Sequence, residues 1–276
     1  MLISRLKNTE MAKMAIGFSQ TFGIELKVLS AAMRTFSAEG KLSRAELMQK
    51  IGVGDNRAEA VVTWLGKLGL RDNKKRCLTP LGKFLMEKDA YLENITTQWL
   101  LHYQLAKNPD AEVWYYLSNR FITNRREFTS KDAIQSLELA GVGQTSPRHL
   151  KSDVHIFLQA LTDSKALKEL NLLEKIGIDR YKIKNCKGIH PFLVGYILFD
   201  QKQTLYPNVS TINIKELLTA DGNVGKVCLL SRDKLEDFFK QLQQMGYIAI
   251  SKFADLDQIA FKFEGHAIQI LKGCYE

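Results

Sequence analysis

Residues 41–88 read KLSRAELMQKIGVGDNRAEAVVTWLGKLGLRDNKKRCLTPLGKFLMEK, and this stretch predicts one complete supersecondary unit. Ser43 and Glu46 have the spacing of a capping box, in which each side chain bonds the other residue's backbone amide at the start of a helix. The short helix that follows is predicted to end at Gly52, because glycine is favoured just after a helix.

A longer helix is predicted to begin at Gly54 or Asp55 and to end at Gly69. Its apolar residues recur at helical spacing and form one buried stripe: Ala58, Val61, Val62, Leu65 and Leu68. A hairpin follows, with a polar tip at residues 72–76 and a return at residues 77–82. Helix, tight turn, helix and hairpin are the pattern of a winged helix-turn-helix, whose second helix enters a major groove while the hairpin contacts phosphate.

Composition sets wide limits on the function. The chain has 276 residues, of which 45% are hydrophobic and 25% charged, as in a soluble globular protein with two or three domains. No apolar run approaches the ~20 residues that cross a bilayer, so no membrane partner is expected, and no secretory signal is expected either. Phosphate-loop, dinucleotide-binding and hydrolase motifs are missing.

The cysteines indicate the cellular compartment. Cys77, Cys186, Cys228 and Cys274 lie far apart and show no metal-ligand spacing. A disulfide framework and a zinc site are therefore not expected, and a reducing cytoplasm is the predicted location. No cofactor is expected, unless a divalent metal supports a nicking activity.

The charge pattern points to a polyanionic partner. The formal net charge is +9, which permits binding to nucleic acid without proving it. Basic residues cluster at residues 74–76, at Arg120 with residues 125–126, and at residues 148–151. Such clusters are often ordinary solvated surface, but three of them in one half of a chain favour DNA as a partner.

Candidate DNA-contacting residues follow from the predicted winged helix. Phosphate contact is predicted for Lys74, Lys75, Arg76 and Arg57. Groove contact is predicted for Asn56, Thr63 and Lys67. Arg148 and Lys151 are secondary candidates on a helix predicted to start after Ser146, since that polar face could equally be a solvated surface.

The last third of the sequence repeats the first. Ser231 is predicted to cap a helix with apolar positions at Leu235, Phe238, Phe239, Leu242 and Met245. Residues 214–218 correspond to the short helix, and two predicted strands flank an acidic tip that contains Asp255 and Asp257. Carboxylates oppose phosphate, so this copy is expected to pack internally or to bind a protein.

The predicted fold class is therefore mainly α, with N-terminal and C-terminal winged helix-turn-helix modules around a helical middle region. The predicted domains are residues 1–88, 89–185 and 186–276. Aromatic residues between Trp99 and Tyr116 could stack on unpaired bases, but at helical spacing they are more typical of a core. His102 has the same interpretation, as a buried helix histidine.

Several short segments together resemble a known family. They are residues 51–56 continuing to Trp64-Leu65, Gly69-Leu70, residues 89–93 with 99–102, residues 150–154 and residues 224–227. In this order they resemble the SspB-like family, a family of unknown-function domains encoded beside PAPS-reductase-like proteins in DNA phosphorothioation and phage-defence loci. The resemblance implies a DNA-acting accessory in a multi-protein complex, with a PAPS-reductase-like protein among its partners, and it associates DNA nicking with the family.

One departure argues against the enzymatic part of this resemblance. The family pattern G-H-E-T-F-x-x-R aligns with residues 18–25, where its His, Glu and Arg become Ser19, Gln20 and Glu25. A general base or metal ligand and an anion-binding Arg are then lost. Asp153 and His155 are the other acid–histidine pair considered, but at i and i+2 they point to different faces of a helix.

The leading prediction is thus a cytoplasmic DNA-binding accessory of a phosphorothioation or phage-defence system that also binds protein partners. A metal-dependent DNA nickase is one alternative. A winged-helix transcription regulator is the other.

Overall fold

The computed structural model describes Gly17 and residues 21–142, 146–253 and 256–276. This part of the chain is mainly helical, as predicted, and its strands form three small antiparallel sheets. Three segments, here called the first, second and third units, each place two or three helices before a β-hairpin. They comprise residues 26–88, 127–183 and 211–261.

The first unit has the two predicted helices and the hairpin, but the predicted return at residues 77–82 is wrong after Leu78, because Pro80 begins a helix. Its elements are α1 (Leu26–Glu39), α2 (Arg44–Ile51), α3 (Asp55–Lys67), β1 (Arg71–Asp72), β2 (Cys77–Leu78) and α4 (Pro80–Lys88). The capping box of α2 is confirmed, because the Glu46 amide donates to the Ser43 hydroxyl and the Ser43 amide donates to the Glu46 carboxylate. Gly52 follows the helix with a φ of 67°, a left-handed conformation that favours glycine.

The predicted apolar stripe of α3 faces the core. Ala58, Val61, Leu65 and Leu68 are buried, while Val62 is only partly buried. The helix ends at Lys67, and Gly69 two residues later has a φ of 67°. The hairpin that follows is short, with Arg71 opposite Leu78 and Asp72 opposite Cys77.

A buried helix, α5 (Ile95–Ala106), lies at the centre of the fold. Every residue from Thr96 to Ala106 is buried. The next helix, α6 (Glu112–Tyr116), continues as a π-helical turn and a 3₁₀ turn up to Asn124. Trp99 and Trp114 are core residues, so the interpretation of the aromatic residues as core is confirmed.

His102 is also fully buried, as interpreted from the sequence. Its Nδ1 accepts a hydrogen bond from the Trp114 indole at 3.3 Å. Burial lowers the pKa of His102 to about 4, which keeps the ring neutral at physiological pH.

The second unit lies in the region that the sequence predicts as mainly helical, with one strand at residues 181–184. Its elements are β3 (Glu127–Phe128), α7 (Ser130–Leu139), α8 (Pro147–Ala160), β4 (Leu173–Gly177) and β5 (Arg180–Ile183). Thr129, and not Ser130, caps α7, because the Thr129 hydroxyl accepts the Asp132 amide. The sequence of residues 176–178 is typical of a helix end, but Ile176 lies in strand β4.

The third unit follows a long helix, α9 (Pro191–Leu205). Its elements are β6 (Thr211–Asn213), α10 (Ile214–Thr219), α11 (Val224–Val227), α12 (Arg232–Gln244), β7 (Ile248–Phe253) and β8 (Leu256–Phe261), and α13 (Ala267–Leu271) comes after it. Ser231 caps α12 as predicted. Met245 is 44% exposed, so its predicted core position is wrong. Residues 208–211 have the composition of a turn, but Thr211 already begins β6.

The second and third units share one sheet topology. The strand orders are β3–β5–β4 and β6–β8–β7, so in each unit the strand before the helices pairs with the last strand of the hairpin. Phe128 pairs with Tyr181 in the second unit, and their rings stack with centroids 5.8 Å apart.

Buried apolar side chains form one continuous cluster from Ile24 to Leu271. It crosses the boundaries predicted near residues 88 and 185, and the division into three domains stays a prediction. All four cysteines are unpaired. Within the described residues, no helix has the length and apolar character needed to span a bilayer.

Candidate nucleic-acid interface

The hairpin tip of the first unit presents three cations to solvent. Asp72 Oδ1 accepts the backbone amides of Lys74 and Lys75, both at 2.9 Å, and these bonds shape a tight turn. The same amide bonds lower the pKa of Asp72. Arg76 completes the turn with a φ of 57°. The side chains of Lys74, Lys75 and Arg76 are exposed, and among the described residues only Lys75 has a carboxylate nearby, Asp72 at 3.9 Å.

The first half of α3 presents a mixed surface. Asn56 is exposed at the start of the helix. Arg57, predicted to contact phosphate, instead donates to Glu25 at 2.6 Å. Thr63 is half-buried, and its hydroxyl donates to the Glu59 carbonyl one turn earlier. Of these three predicted contacts, the structure leaves Asn56 the most open to a ligand.

An arginine of α2 forms ion pairs with two acidic residues of α3. Arg44 approaches Asp55 at 3.1 Å and Glu59 at 2.9 Å. These two carboxylates lie in the first and second turns of α3, where they favour the helix macrodipole. One guanidinium balances only one of these two carboxylates, so the start of α3 keeps a net negative charge, and the positive charge of this unit is concentrated at the hairpin tip.

Lys67 is placed differently from the other candidates. Its ammonium donates to the Asp110 carbonyl at 2.9 Å, and the side-chain amide of Asn108 donates to the Lys67 carbonyl at 3.2 Å. Burial lowers the pKa of Lys67. The structure thus places Lys67 where α3 meets the loop after α5, and it does not bring Lys67 together with Lys74 to Arg76.

Arg148 and Lys151 lie on the exposed face of α8. Both side chains are exposed, as are His155 and Gln159 further along the helix. Among the described residues neither cation has an ion-pair partner. The helix contains one carboxylate, Asp153, and that residue is buried, so the exposed face of α8 carries no acidic side chain.

Asp153 and His155 do not form a shared site. Asp153 Oδ2 accepts the Gly17 amide at 2.8 Å on the buried side of α8, whereas His155 is exposed. Burial raises the pKa of Asp153 to about 6. Glu112 lies close enough to Asp153 that, with burial as the larger cause, the neighbouring charge also raises the pKa of Glu112.

Part of the segment with the family motif lies outside the described residues, including Ser19 and Gln20. The part that is described packs against α3, because the Trp64 indole donates to the Phe22 carbonyl at 2.9 Å. Glu25, which stands where the family pattern has Arg, is the partner of Arg57. The charge at this position is therefore reversed and also neutralised.

The β4–β5 hairpin is a cationic feature that the sequence prediction missed. Lys175, Arg180 and Lys182 are exposed on it, and the side chain of Ile178 at its tip is 98% exposed. Alternating charged and apolar residues from 174 to 184 are the sequence signal for this hairpin.

The surface of the third unit is balanced in charge, in contrast to the first hairpin tip. Arg232 bonds both Glu236 and Asp257, and Lys240 bonds Asp237 at 2.9 Å. Asp255, in the predicted acidic tip, lies outside the described residues. Across the described ranges, no three His, Cys, Asp or Glu side chains come together in a way that could hold a metal ion.

The fold is thus that of a mainly helical protein with three units in which helices precede a β-hairpin. The chain belongs to the family described as "Protein of unknown function (DUF4007)", which matches residues 19–275. The resemblance to the SspB-like family is confirmed by this match together with the similarity in fold to SspB.

Two solved structures share the fold. The magnesium-ion-bound crystal structure of SspB superposes with a TM-score of 0.78 at 17% identity, covering 95% of this chain and 88% of that chain. A second crystal structure of SspB gives a TM-score of 0.77 with the same identity and coverage. No curated protein matches this sequence.

Proposed function

We propose that this chain is a DNA-binding accessory component of a DNA phosphorothioation and phage-defence system. Family membership and the fold shared with SspB support a role in such a system. The observation that carries DNA binding is the hairpin tip with Lys74, Lys75 and Arg76, which are exposed and almost free of carboxylate partners. Each such cation that meets a phosphate releases a counterion.

We interpret the first and third units as winged helix-turn-helix modules. In this arrangement α3 approaches the major groove with Asn56, and the β1–β2 hairpin rests on the phosphate backbone. The third unit, whose surface is balanced in charge and whose Arg232 and Lys240 are paired with carboxylates, would instead receive a protein partner such as a PAPS-reductase-like protein.

The test of DNA binding is a salt titration of the full chain with duplex DNA, followed by fluorescence anisotropy. Replacing Lys74, Lys75 and Arg76 with Ala is expected to reduce the slope of log affinity against log salt by up to about three. The matched control replaces three exposed lysines of the last third of the chain, Lys215, Lys262 and Lys272. Absence of binding by the native protein, or equal slopes for the two triple variants, would contradict the proposal.

The partner role has its own test. A pull-down from native host lysate, with and without nuclease, separates direct protein partners from those bridged by DNA. Retention of a PAPS-reductase-like protein after nuclease treatment is the expected result. Loss of every co-purifying protein on nuclease treatment would count against a bridging role.

The alternative function is metal-dependent nicking of DNA. It arises because one structure that shares the fold, that of SspB, contains a bound magnesium ion. The described residues do not fit a metal site, and the motif residues Ser19 and Gln20 replace a His and a Glu, so we propose binding without cutting. Supercoiled plasmid incubated with the protein and Mg²⁺ or Mn²⁺ is expected to stay supercoiled. A transcription regulator would instead bind one short operator tightly, whereas sequence-independent binding is expected here.

A further inference from the structure

The second unit repeats the architecture of the third, although the sequence does not predict it. In both, a short strand precedes the helices and pairs with the last strand of the hairpin that follows, with two helices in between in the second unit and three in the third. The longer helix before the hairpin starts after a serine in each case, Ser146 before α8 and Ser231 before α12. Helix α8 therefore occupies the place that α12 has in the third unit and α3 in the first.

These three equivalent helices differ in charge at their N-terminal ends. Helix α3 begins with Asp55 and α12 has Asp233 in its first turn. Helix α8 has no acidic residue in its first turn and instead carries Arg148 and His149, followed by Lys151. The helix macrodipole disfavours cations at this end, although His149 Nδ1 also shares a hydrogen bond with the Ser146 hydroxyl at 2.8 Å. A negatively charged ligand would compensate for the cations.

The hairpin of the second unit adds cations and an apolar tip. Lys175, Arg180 and Lys182 are exposed on its strands. Arg180 approaches Glu127 at 3.3 Å. Lys182 lies opposite Glu127 and Glu174 in the sheet, and after Lys184 its charge also lowers the pKa of Glu174. Ile178 is 98% exposed at the tip. None of the described residues covers this tip, so the Ile178 side chain is accessible to a ligand.

The tip is held in a defined position. Asp179, next to Ile178, accepts hydrogen bonds from the Ser130 amide at 3.2 Å and the Ser130 hydroxyl at 2.9 Å. Ser130 is the first residue of α7, the helix that precedes α8. Ile178 is thus presented on an anchored turn.

A cleft beside the hairpin is also lined by more basic than acidic residues. Its volume is about 410 Å³, and its lining includes Lys168, Lys175, Lys184 and Lys187 against Glu169 and Glu174. Lys184 is paired with Glu174 at 2.8 Å. The excess of cations extends the positive surface from the strands to the loop that follows α8.

We propose that the second unit is a further duplex-DNA contact, in which the exposed face of α8 binds the duplex and the β4–β5 hairpin inserts Ile178 into a minor groove. Apolar side chains inserted between base steps partly unstack them, and flanking cations hold the neighbouring phosphates. Arg148, Lys151 and Lys182 supply the charge, and Gln159 supplies a polar group on the same face of α8. This inference rests on the proposed DNA-binding function and assigns it a second surface.

The charge part is tested by the same salt titration. The variant R148A/K151A/K182A is expected to lower the log–log slope by up to about three, as the variant of residues 74–76 does. The lysine variant of the last third, at residues 215, 262 and 272, is the control. All substituted side chains are exposed, and circular dichroism checks that each variant is folded.

The insertion part uses duplexes that contain 2-aminopurine at A·T-rich steps, because unstacking raises the fluorescence of this base. The native protein is expected to raise the fluorescence, and Ile178→Ala is expected to abolish the rise. Leu139→Ala, which truncates another exposed aliphatic side chain on α7, is expected to leave it unchanged. Equal fluorescence with the native protein and Ile178→Ala would overturn the insertion.

The outcomes separate this inference from the function on which it rests. If the native protein does not bind duplex DNA, the proposed function fails. If it binds, and the variant of residues 74–76 weakens binding while R148A/K151A/K182A keeps the native slope, the function stands and the second surface is overturned.

Discussion

Thr97 Oγ1 and Tyr275 Oη lie 2.7 Å apart and share a hydrogen bond across 178 residues of chain. Thr97 belongs to the central helix α5, and the Tyr275 ring also packs edge-on against Phe84 of α4, with centroids 5.6 Å apart. The last residues of the chain thus connect the first unit with the centre of the fold.

Tyr275→Ala is therefore expected to destabilise the whole protein, and not the last third alone. Loss of the partly buried ring and of the hydrogen bond should lower the free energy of unfolding by about 2–4 kcal/mol. Tyr275→Phe keeps the ring and should cost about 1 kcal/mol. Urea denaturation followed by both fluorescence and circular dichroism measures the effect. A separate early transition in Tyr275→Ala, with the main transition unchanged, would instead favour domains that unfold independently.

Asp153 is expected to make stability depend on pH. Burial raises its pKa to about 6, so the native state binds this proton more tightly than the unfolded chain does. The ionised form therefore destabilises the protein above about pH 6, and this effect disappears towards about pH 4. Asp153→Asn, which can still accept the Gly17 amide, should stabilise the protein near neutral pH by up to about 3 kcal/mol and converge with the native protein in acid.

Urea unfolding of both proteins over this pH range measures the difference. Asp163→Asn is the matched control, since that carboxylate also accepts a backbone amide, from Lys165 at 2.9 Å. A constant difference between Asp153→Asn and the native protein at all pH values would show that the carboxyl group is not destabilised by burial.

Local signals explain what the sequence predicted well. Ser43 and Glu46 are three residues apart, and the apolar stripe of α3 lies within one helix, so both can be recognised without knowing the rest of the fold. Strands β3 and β6 have two and three residues, which is too short to show an alternating pattern. Phe128 is in a strand because it pairs with Tyr181, far along the chain.

The candidate site, too, could be predicted from the sequence only where its contacts are local. The sequence offers Arg57 and Lys67 as free cations, but their partners lie 32 and 43 residues away, at Glu25 and at the Asp110 carbonyl. The cations at residues 74–76 were easier to place, since a turn fixed by Asp72 within four residues exposes them. Contacts between residues so far apart in the sequence can be recognised only in the folded structure.

Gly82 is expected to be essential for docking the first hairpin. A Cβ atom at this position would lie 2.2 Å from the carbonyl oxygen of Leu70, a backbone atom that cannot move aside easily. Gly82→Ala should therefore lower the free energy of unfolding by about 1–3 kcal/mol or more. Gly23→Ala is the control, because its Cβ would meet Gln159 at 3.8 Å, an ordinary contact. Thermal unfolding of the two variants compares them, and equal midpoints would show that α4 can shift without loss.

Glu25→Gln is expected to strengthen DNA binding. Glu25 holds Arg57 at 2.6 Å, and its neutralisation would release that guanidinium at the N-terminal half of α3. The affinity for duplex DNA at low salt should rise roughly two- to fivefold, and the salt slope should increase by up to about one, the contribution of one phosphate contact. Glu39→Gln at the other end of α1 is the matched control, since it removes an equal charge from an ion pair with Lys50. If both variants gain affinity equally, net charge explains the effect, and if neither gains, Arg57 does not face the DNA.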